Sequence, residues 1–361
     1  MPRFSVLMPT HNRADVIGYA IRSVLAQTEP DFELLIVGDG CTDGTADVVA
    51  GFDDPRIRWF DLPKAPHFGY ANRNIGLRDA RGALVAFAAH DDLLFPDHLA
   101  LLSEAIEADG AGWAYSRPVF VSTDGVVLPF GTNLLLDDEL ADFHGTGNTI
   151  PASCVVHRRE WLERAGGWPE DVSQAGDWVF WTRIIKAGAK IAFVPVPSAL
   201  HFRAIWRQGR ISNARFESGV LAIAEEAAWW PPSMRVPIPE GEREQAVFFR
   251  QMTAGGGDWV SAFRADVRLA IDRIAWDDVR LTRPALAARD QDVAALGETL
   301  AGRERELREV RSRLSELEAR AKKRTDRLAA RLKARRETIV RLRRRLRKAR
   351  KAGNKGQISR T

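Results

Sequence analysis

FSVLMPTHNRADVIGYAIRSVLAQTEPDFELLIVGDGCTDGT, residues 4–45, carries the pattern that decides the fold. Phe4–Met8 is a short apolar run without polar alternation, so it reads as a strand buried on both faces. A polar loop, Pro9–Arg13, follows. Val16, Ile17, Ala20, Ile21, Val24 and Leu25 then recur at helical spacing. Glu33–Val37 is a second buried strand, and it ends in the Gly-rich polar loop Gly38–Thr45.

Outward from this stretch the alternation continues. Arg56–Asp61 and Ala83–Ala88 read as strands, with a helix over Asn72–Ala80 between them. The last of these strands runs into His90-Asp91-Asp92. Apolar strands separated by helices, with few hairpin signals, imply a mostly parallel sheet covered on both faces. Further on, Pro96–Ala108 reads as a helix, 113–130 as a pair of strands around Asp124-Gly125, and 132–150 as loop. Ser153–His157 reads as a strand, Arg158–Ala165 and Asp177–Ala187 as helices ending at glycines, and Lys190–Val194 as a strand.

The composition changes near Ala295. Leu300, Leu307, Leu314, Ala321, Leu328, Leu342 and Ala349 share one heptad position, interrupted by Arg335. Val310 and Leu317 lie three residues after members of that series, whereas Leu332, Ile339 and Leu346 lie four after. The seam therefore changes phase near 321–328, the mark of a long coiled-coil-like helix with a discontinuity. Residues 301–361 hold 24 Lys+Arg and 7 Asp+Glu, a net of +17. The first 300 residues are left with 29 and 41, a net of −12, so an overall charge of +5 conceals an acidic body and a basic tail. The expected organisation is a catalytic domain over 1–235, a helical extension over 236–294, the basic helix over 295–352 and a disordered end over 353–361.

Several classes are excluded. No stretch approaches the roughly 20 apolar residues of a membrane span. The N-terminal residues, broken by Pro9, do not read as a signal peptide. Two cysteines, Cys41 and Cys154, do not make a disulfide framework, so a reducing cytoplasm is the expected compartment. No G-x-G-x-x-G follows the first strand, against a dinucleotide oxidoreductase. The loop after that strand, PTHNR, has no glycine, against a nucleotidyltransferase, which carries a Gly-rich, Arg- and Lys-bearing loop there.

In open α/β sheets ligands sit beyond the carboxyl ends of the strands. Three polar loops, Pro9–Arg13, Gly38–Thr45 and His90–Asp92, follow predicted strands and are expected to converge on one edge. The run over residues 4–45, with AFAAHDDLLFPDHL over residues 86–99, resembles the family 2 glycosyltransferases of the GT-A fold. The resemblance extends to about residue 200. It implies an inverting enzyme that moves a sugar from a nucleotide diphosphate, UDP- or dTDP-linked, to a hydroxyl of a glycan or lipid-linked acceptor, in cell-envelope or polysaccharide synthesis. By the same resemblance, Pro9, Thr10, Asn12 and Arg13 flank the nucleotide and Asp39 contacts its base. Arg73 faces the pyrophosphate, Asp91 contacts the ribose or supports the metal, and Asp92 ligates Mn²⁺ or Mg²⁺ against the diphosphate. Asp177, in QAGDWVFWTRIIKAG, falls where the family carries its base. The sequence departs from the family pattern at Ala89, where an aspartate is usual. Asp43 is expected to cap the following helix, Trp178 and Trp181 to pack in the core, and His201 to pack or be solvated rather than touch the diphosphate. For the tail, three partners are open: a second helix, an anionic membrane face, or nucleic acid. The absence of aromatics from 301–361 counts against the last.

Overall fold

Four apolar runs build the centre of the protein. In the computed structural model β1 (Phe4–Thr10), β2 (Phe32–Asp39), β3 (Ile57–Leu62) and β4 (Leu84–Phe87) lie parallel, β1 between β4 and β2. Every residue of β2 and β4 is buried, as strands without polar alternation require. The structure describes the backbone of residues 1–145, 147–202 and 215–357. Side chains are described for these residues except 215–219, 276–292, 294 and 349–357.

The sheet grows from β4 through β9 (Val155–Arg158), which is antiparallel to both neighbours, to β6 (Trp113–Ser116) and β10 (Ile191–Val194). Its order is β10-β6-β9-β4-β1-β2-β3. Helices α1 (Ile17–Leu25), α2 (Thr45–Ala50), α3 (Tyr70–Arg78) and α4 (His98–Asp109) follow the strands that the sequence placed before them. The expected mostly parallel, helix-flanked sheet is therefore present.

A second sheet was not expected. It has the order β5-β11-β7-β8, from β5 (Leu93–Leu94), β11 (Ala199–Phe202), β7 (Val119–Val121) and β8 (Val127–Pro129). The anticipated strand pair around Asp124-Gly125 is the β7–β8 hairpin, whereas β6 belongs to the main sheet. The two-residue β5 and the four-residue β11 are too short to leave a periodic trace. The span 132–150, read as loop, contains α5 (Asp137–Gly145), in which Phe143 is the buried side chain. One apolar anchor gives no helical period, so the helix was not legible. Two helices, α6 (Glu160–Ala165) and α7 (Gly176–Lys186), close the region before β10.

The chain divides into two compact units, Met1–Trp276 and Asp277–Thr361. The expected boundary at 235 falls inside the first. Its remaining helices are α8 (Arg215–Glu226) and the start of α9 (Glu244–Gln357), which has a non-helical residue at Gly256. Phe248, Phe263, Val267 and Ala270 of α9 join Leu93, Phe95, Val119 and Phe202 in a second hydrophobic core. Arg264 clamps Asp97 with two hydrogen bonds of 2.7 and 2.8 Å. Burial of this kind, not a motif, ties 236–276 to the body. In the second unit α9 remains helical to Gln357, beyond the expected end at 352. The rest of the expected disordered end, 358–361, lies outside the described residues. No helix among the described residues is long and apolar enough to cross a membrane.

Candidate active site

The ends of β1, β2 and β4 are knitted together by the loop side chains. Asn12 takes the left-handed conformation (φ 50°), which Asn tolerates, and its Oδ1 accepts the Thr42 N–H at 2.8 Å. The Arg13 N–H donates to Thr45 Oγ1 at 2.8 Å. Asp43, expected as a helix cap, accepts from the Thr45 N–H at 2.9 Å and from the Ala14 N–H at 3.1 Å, so it ties the two loops. His90 Nδ1 meets the Pro9 carbonyl at 3.0 Å, and its Nε2 meets Arg13 Nε at 3.3 Å. A carbonyl only accepts and a guanidinium only donates, so these partners fix a neutral imidazole protonated on Nδ1. Burial acts the same way, lowering the His90 pKa. Thr10 is buried behind this junction.

Asp39 closes β2 and is buried. Its carboxylate accepts from the Ala65 N–H at 2.8 Å and Asn72 Nδ2 at 2.7 Å, and it pairs with the Lys64 ammonium. Gly69, in the left-handed region (φ 69°), packs directly on it, and a Cβ there would lie 2.5 Å from Asp39 Oδ2. The Asp39 backbone carbonyl meets His11 Nδ1 at 2.7 Å.

Asp92 has no exposed side-chain surface. Its Oδ1 accepts from the Phe202 N–H at 3.0 Å and its Oδ2 from Ser153 Oγ at 2.5 Å. His201 Nδ1 approaches both oxygens, at 3.0 and 2.9 Å. Ser153 Oγ also accepts the N–H of Ala89 at 3.0 Å, so the residue that departs from the family pattern is joined to Asp92 through one hydroxyl. His201 packs edge-on against the Phe120 ring, 4.9 Å between centroids, as expected of a packing residue, and it also contacts Asp92 directly. Asp91 lies 3.6 Å from His90 Nε2. Its backbone carbonyl accepts from Gln245 Nε2 at 3.4 Å, and Asp91 is close enough to Glu244 to help burial raise that carboxyl's pKa. The start of α9 therefore borders the site, which no sequence motif announced.

Asp177 lies in the first turn of α7, after Ala175 in the left-handed conformation (φ 55°). The helix cap falls on Ala175, not on Asp177. The Asp177 carboxylate accepts from the Trp178 N–H at 2.9 Å and from Asn148 Nδ2 at 3.0 Å. Burial raises its pKa, and the positive ends of Arg73 and His201 oppose that rise. Trp181 is fully buried and Trp168 nearly so, while Trp178 is only partly covered.

Helix α3 joins these corners. Asn72 donates to Asp39, the Tyr70 hydroxyl accepts the Gly176 N–H at 3.0 Å, and Arg73 acts on Asp177 through its charge. The Arg73 guanidinium lies over the Tyr70 and Trp168 rings, 4.9 and 4.5 Å from their centroids. A side chain at Gly176 would strike Tyr70, since its Cβ would come within 2.5 Å of the ring. Among the described residues no hydrogen bond joins Asp39, Asp92 and Asp177 directly. α3 links the Asp39 corner to the turn before Asp177, and His201 contacts Asp92 and acts on Asp177 through its charge. Asn72, Tyr70, Ser153 and Asn148 were not singled out by sequence, because their roles come from partners 29 to 106 residues away.

The Asp92 corner fits a divalent cation in part. A hard carboxylate beside an imidazole suits Mn²⁺ or Mg²⁺. Among the described residues, however, no three His, Cys, Asp or Glu side chains form a group able to hold a metal. Protein ligands alone do not complete a shell, so phosphate oxygens of a bound nucleotide would have to supply the rest.

Residues 5–164 match the family model for glycosyl transferase family 2. The chain is 31% identical over 214 residues to an uncharacterized protein of Mycobacterium tuberculosis, covering 54% of this chain and 65% of that one. It is 37% identical over 125 residues to the succinoglycan biosynthesis protein ExoO of Rhizobium meliloti, covering 35% and 36% respectively. A GalNAc(5)-diNAcBac-PP-undecaprenol beta-1,3-glucosyltransferase of Campylobacter jejuni is 35% identical over 106 residues, covering 29% of this chain and 34% of that one. The chain thus spans less than two thirds of the length of each of these relatives. Among solved structures, residues 1–349 of S. aureus TarS, in complex with UDP-GlcNAc, superpose with a TM-score of 0.50 at 21% identity, covering 59% of this chain and 61% of that one, a likeness of fold. The similarity to glycosyl transferase family 2 thus falls on the N-terminal α/β domain, within residues 5–164 for the family model.

Proposed function

We propose that this protein is an inverting glycosyltransferase, moving a sugar from a UDP- or dTDP-linked donor to an acceptor hydroxyl in envelope or polysaccharide synthesis. One observation carries the reading. Asp177 is a partly buried carboxylate whose pKa is raised by desolvation, and it lies within electrostatic reach of Arg73 and of the His201 that holds Asp92. A raised pKa makes the carboxylate a stronger base, and Asn148 and the Trp178 N–H fix its orientation.

In the proposed reaction Asp177 takes the proton of the acceptor hydroxyl. That oxygen bonds to the anomeric carbon while the bond from this carbon to the β-phosphate oxygen breaks on the opposite face, which inverts the centre. The nucleotide lies along Pro9–Arg13 and Asp39, Asp91 contacts the ribose, and Arg73 faces the pyrophosphate. Asp39 already has three partners, two on Oδ1 and Lys64 alone on Oδ2, so Oδ2 keeps acceptor capacity for a pyrimidine N–H. A divalent cation, when bound, neutralises the departing diphosphate, and Asp92 and His201 would hold it. Envelope or polysaccharide synthesis is favoured by the named work of the Rhizobium and Campylobacter relatives.

The test is turnover of nucleotide sugars with Mn²⁺. Asp177→Asn should bind UDP as the native protein does and fail to transfer. Undiminished transfer in that variant would remove the base assignment.

The tail has a separate role in this proposal. Its leucines at heptad spacing favour pairing with a second helix, and its charge favours a peripheral position on an anionic cytoplasmic membrane face. Sedimentation of residues 295–361 with and without anionic liposomes distinguishes the two.

A further inference from the structure

On the side of α7 that bears Trp178, a cavity of about 600 Å³ opens between α5, α6 and α7. Trp178, Thr182 and Lys186 recur at four-residue intervals along one face of α7, and Arg183 lies beside them. Arg164 of α6 and His144 of α5 complete the polar wall. No Asp or Glu is among the side chains that line it.

Three features distinguish this cavity from a solvated groove. Arg183 and Lys186 have no acidic partner among the described residues, while Arg164 is engaged with Glu160 at 3.6 Å and with the Trp161 ring at 4.8 Å. Thr182 Oγ1 and His144 Nδ1 are both buried atoms without a hydrogen-bond partner. Buried polar atoms are almost always paired, so Thr182 and His144, two residues of this wall, keep hydrogen-bonding capacity that the protein leaves unused. Finally, Lys186 lies near enough to His144 to add to burial in lowering its pKa, so the imidazole is kept neutral by the positive field of this wall. Cations in the last turn of α7 also complement the helix dipole. That explains their sign, but not the two unpartnered atoms.

We propose that this cavity is a phosphate-binding subsite, with Arg183 and Lys186 supplying charge and the side chains of Thr182 and His144 able to turn a hydrogen bond to the anion. Trp178 directly follows Asp177, so a phosphate held here would be carried by the acceptor, anchored across α7 from the base. The acceptor role rests on the glycosyltransferase reading, whereas anion binding does not. The distinction from the donor site is structural: none of the lining side chains touches Asp39, Asp92 or the loops around them.

Thermal shift of the full chain with inorganic phosphate, at fixed ionic strength and without metal, tests the site. The native protein should be stabilised in a saturable manner, and Arg183→Glu/Lys186→Glu should lose that shift while keeping the shift produced by UDP with Mn²⁺. Arg183→Gln/Lys186→Gln, milder at exposed positions, should weaken phosphate binding at least tenfold. No saturable phosphate shift in the native protein, or an equal shift in the charge-reversed variant, would overturn the proposal. A phosphate shift without any UDP response would instead leave the subsite standing and remove the donor reading. Detergent-solubilised polyprenyl phosphate and soluble polyphosphate, compared at equal phosphate concentration, separate the sources. Stronger binding of the first assigns a lipid carrier, and of the second a phosphorylated glycan.

Discussion

Asp92 has no exposed side-chain surface and is held by Ser153, His201 and the Phe202 N–H, whereas Leu300, Leu307 and Leu314 of the basic helix are 64, 53 and 56% exposed. The body buries what is normally solvated, and the tail exposes what is normally buried. Each is costly for an isolated chain. A buried carboxylate needs several donors to be tolerable, and a stripe of leucines in water forgoes about 1.5–3 kcal/mol for each side chain left uncovered. The body resolves its cost internally. The tail can resolve its own only through something outside the chain, which is why chemistry is assigned to the body and association to the tail.

The largest effect should come from the body's base. Asp177→Asn is expected to lower kcat by about 10²–10⁴, with UDP affinity preserved. Deleting 295–361 should leave turnover of a soluble acceptor unchanged, and a comparable loss on that deletion would break the division of labour. Asp92→Ala should both abolish the response to Mn²⁺ and destabilise the body by on the order of 3 kcal/mol, because Ser153, the Phe202 N–H and the partly buried His201 lose their acceptor. Chemical denaturation with and without the metal reads both effects.

The pH dependence sharpens the contrast further. Burial raises the Asp177 pKa, and the base works only when deprotonated, so kcat should fall as pH drops through a value above that of an ordinary carboxyl. The stability sign is opposite to that of a salt-bridged acid. A group with a raised folded-state pKa favours its neutral form, so its charge costs stability as pH rises above the ordinary carboxyl value. Asp177→Asn should therefore raise Tm at neutral pH while removing activity, and an unchanged or lower Tm would refute the desolvation argument. The smallest effect on the body should follow Leu307→Asn with Leu314→Asn. This pair should lower the association constant of the tail in sedimentation without moving the Tm of the body.

The parallel sheet was legible because its strands are apolar throughout, as in Phe4–Met8 and Glu33–Val37, and because helical periods separate them. The tail was legible through Leu300, Leu307 and Leu314 at sevenfold spacing. α5 was not, since Phe143 alone anchors it, and neither was the second sheet, whose strands borrow their order from residues far along the chain. The tie of 236–276 to the body escaped for the same reason: Phe248 and Phe263 are ordinary helix residues until β5, β7 and β11 supply their neighbours.

By itself the sequence determined the α/β class, the acidic body with its basic tail, and the loops where the acids Asp39, Asp91 and Asp92 would stand. Local period, composition and motif spacing are written along the chain, so a linear reading recovers them. Only the tertiary structure decided that His201 and Ser153 hold Asp92, that α3 spans from Asp39 to the Asp177 turn, and that Thr182 and His144, each with an unpaired buried atom, line one cavity. Hydrogen bonding and desolvation act over a few ångströms of space, and no spacing along a chain encodes which distant residues will be brought within that range.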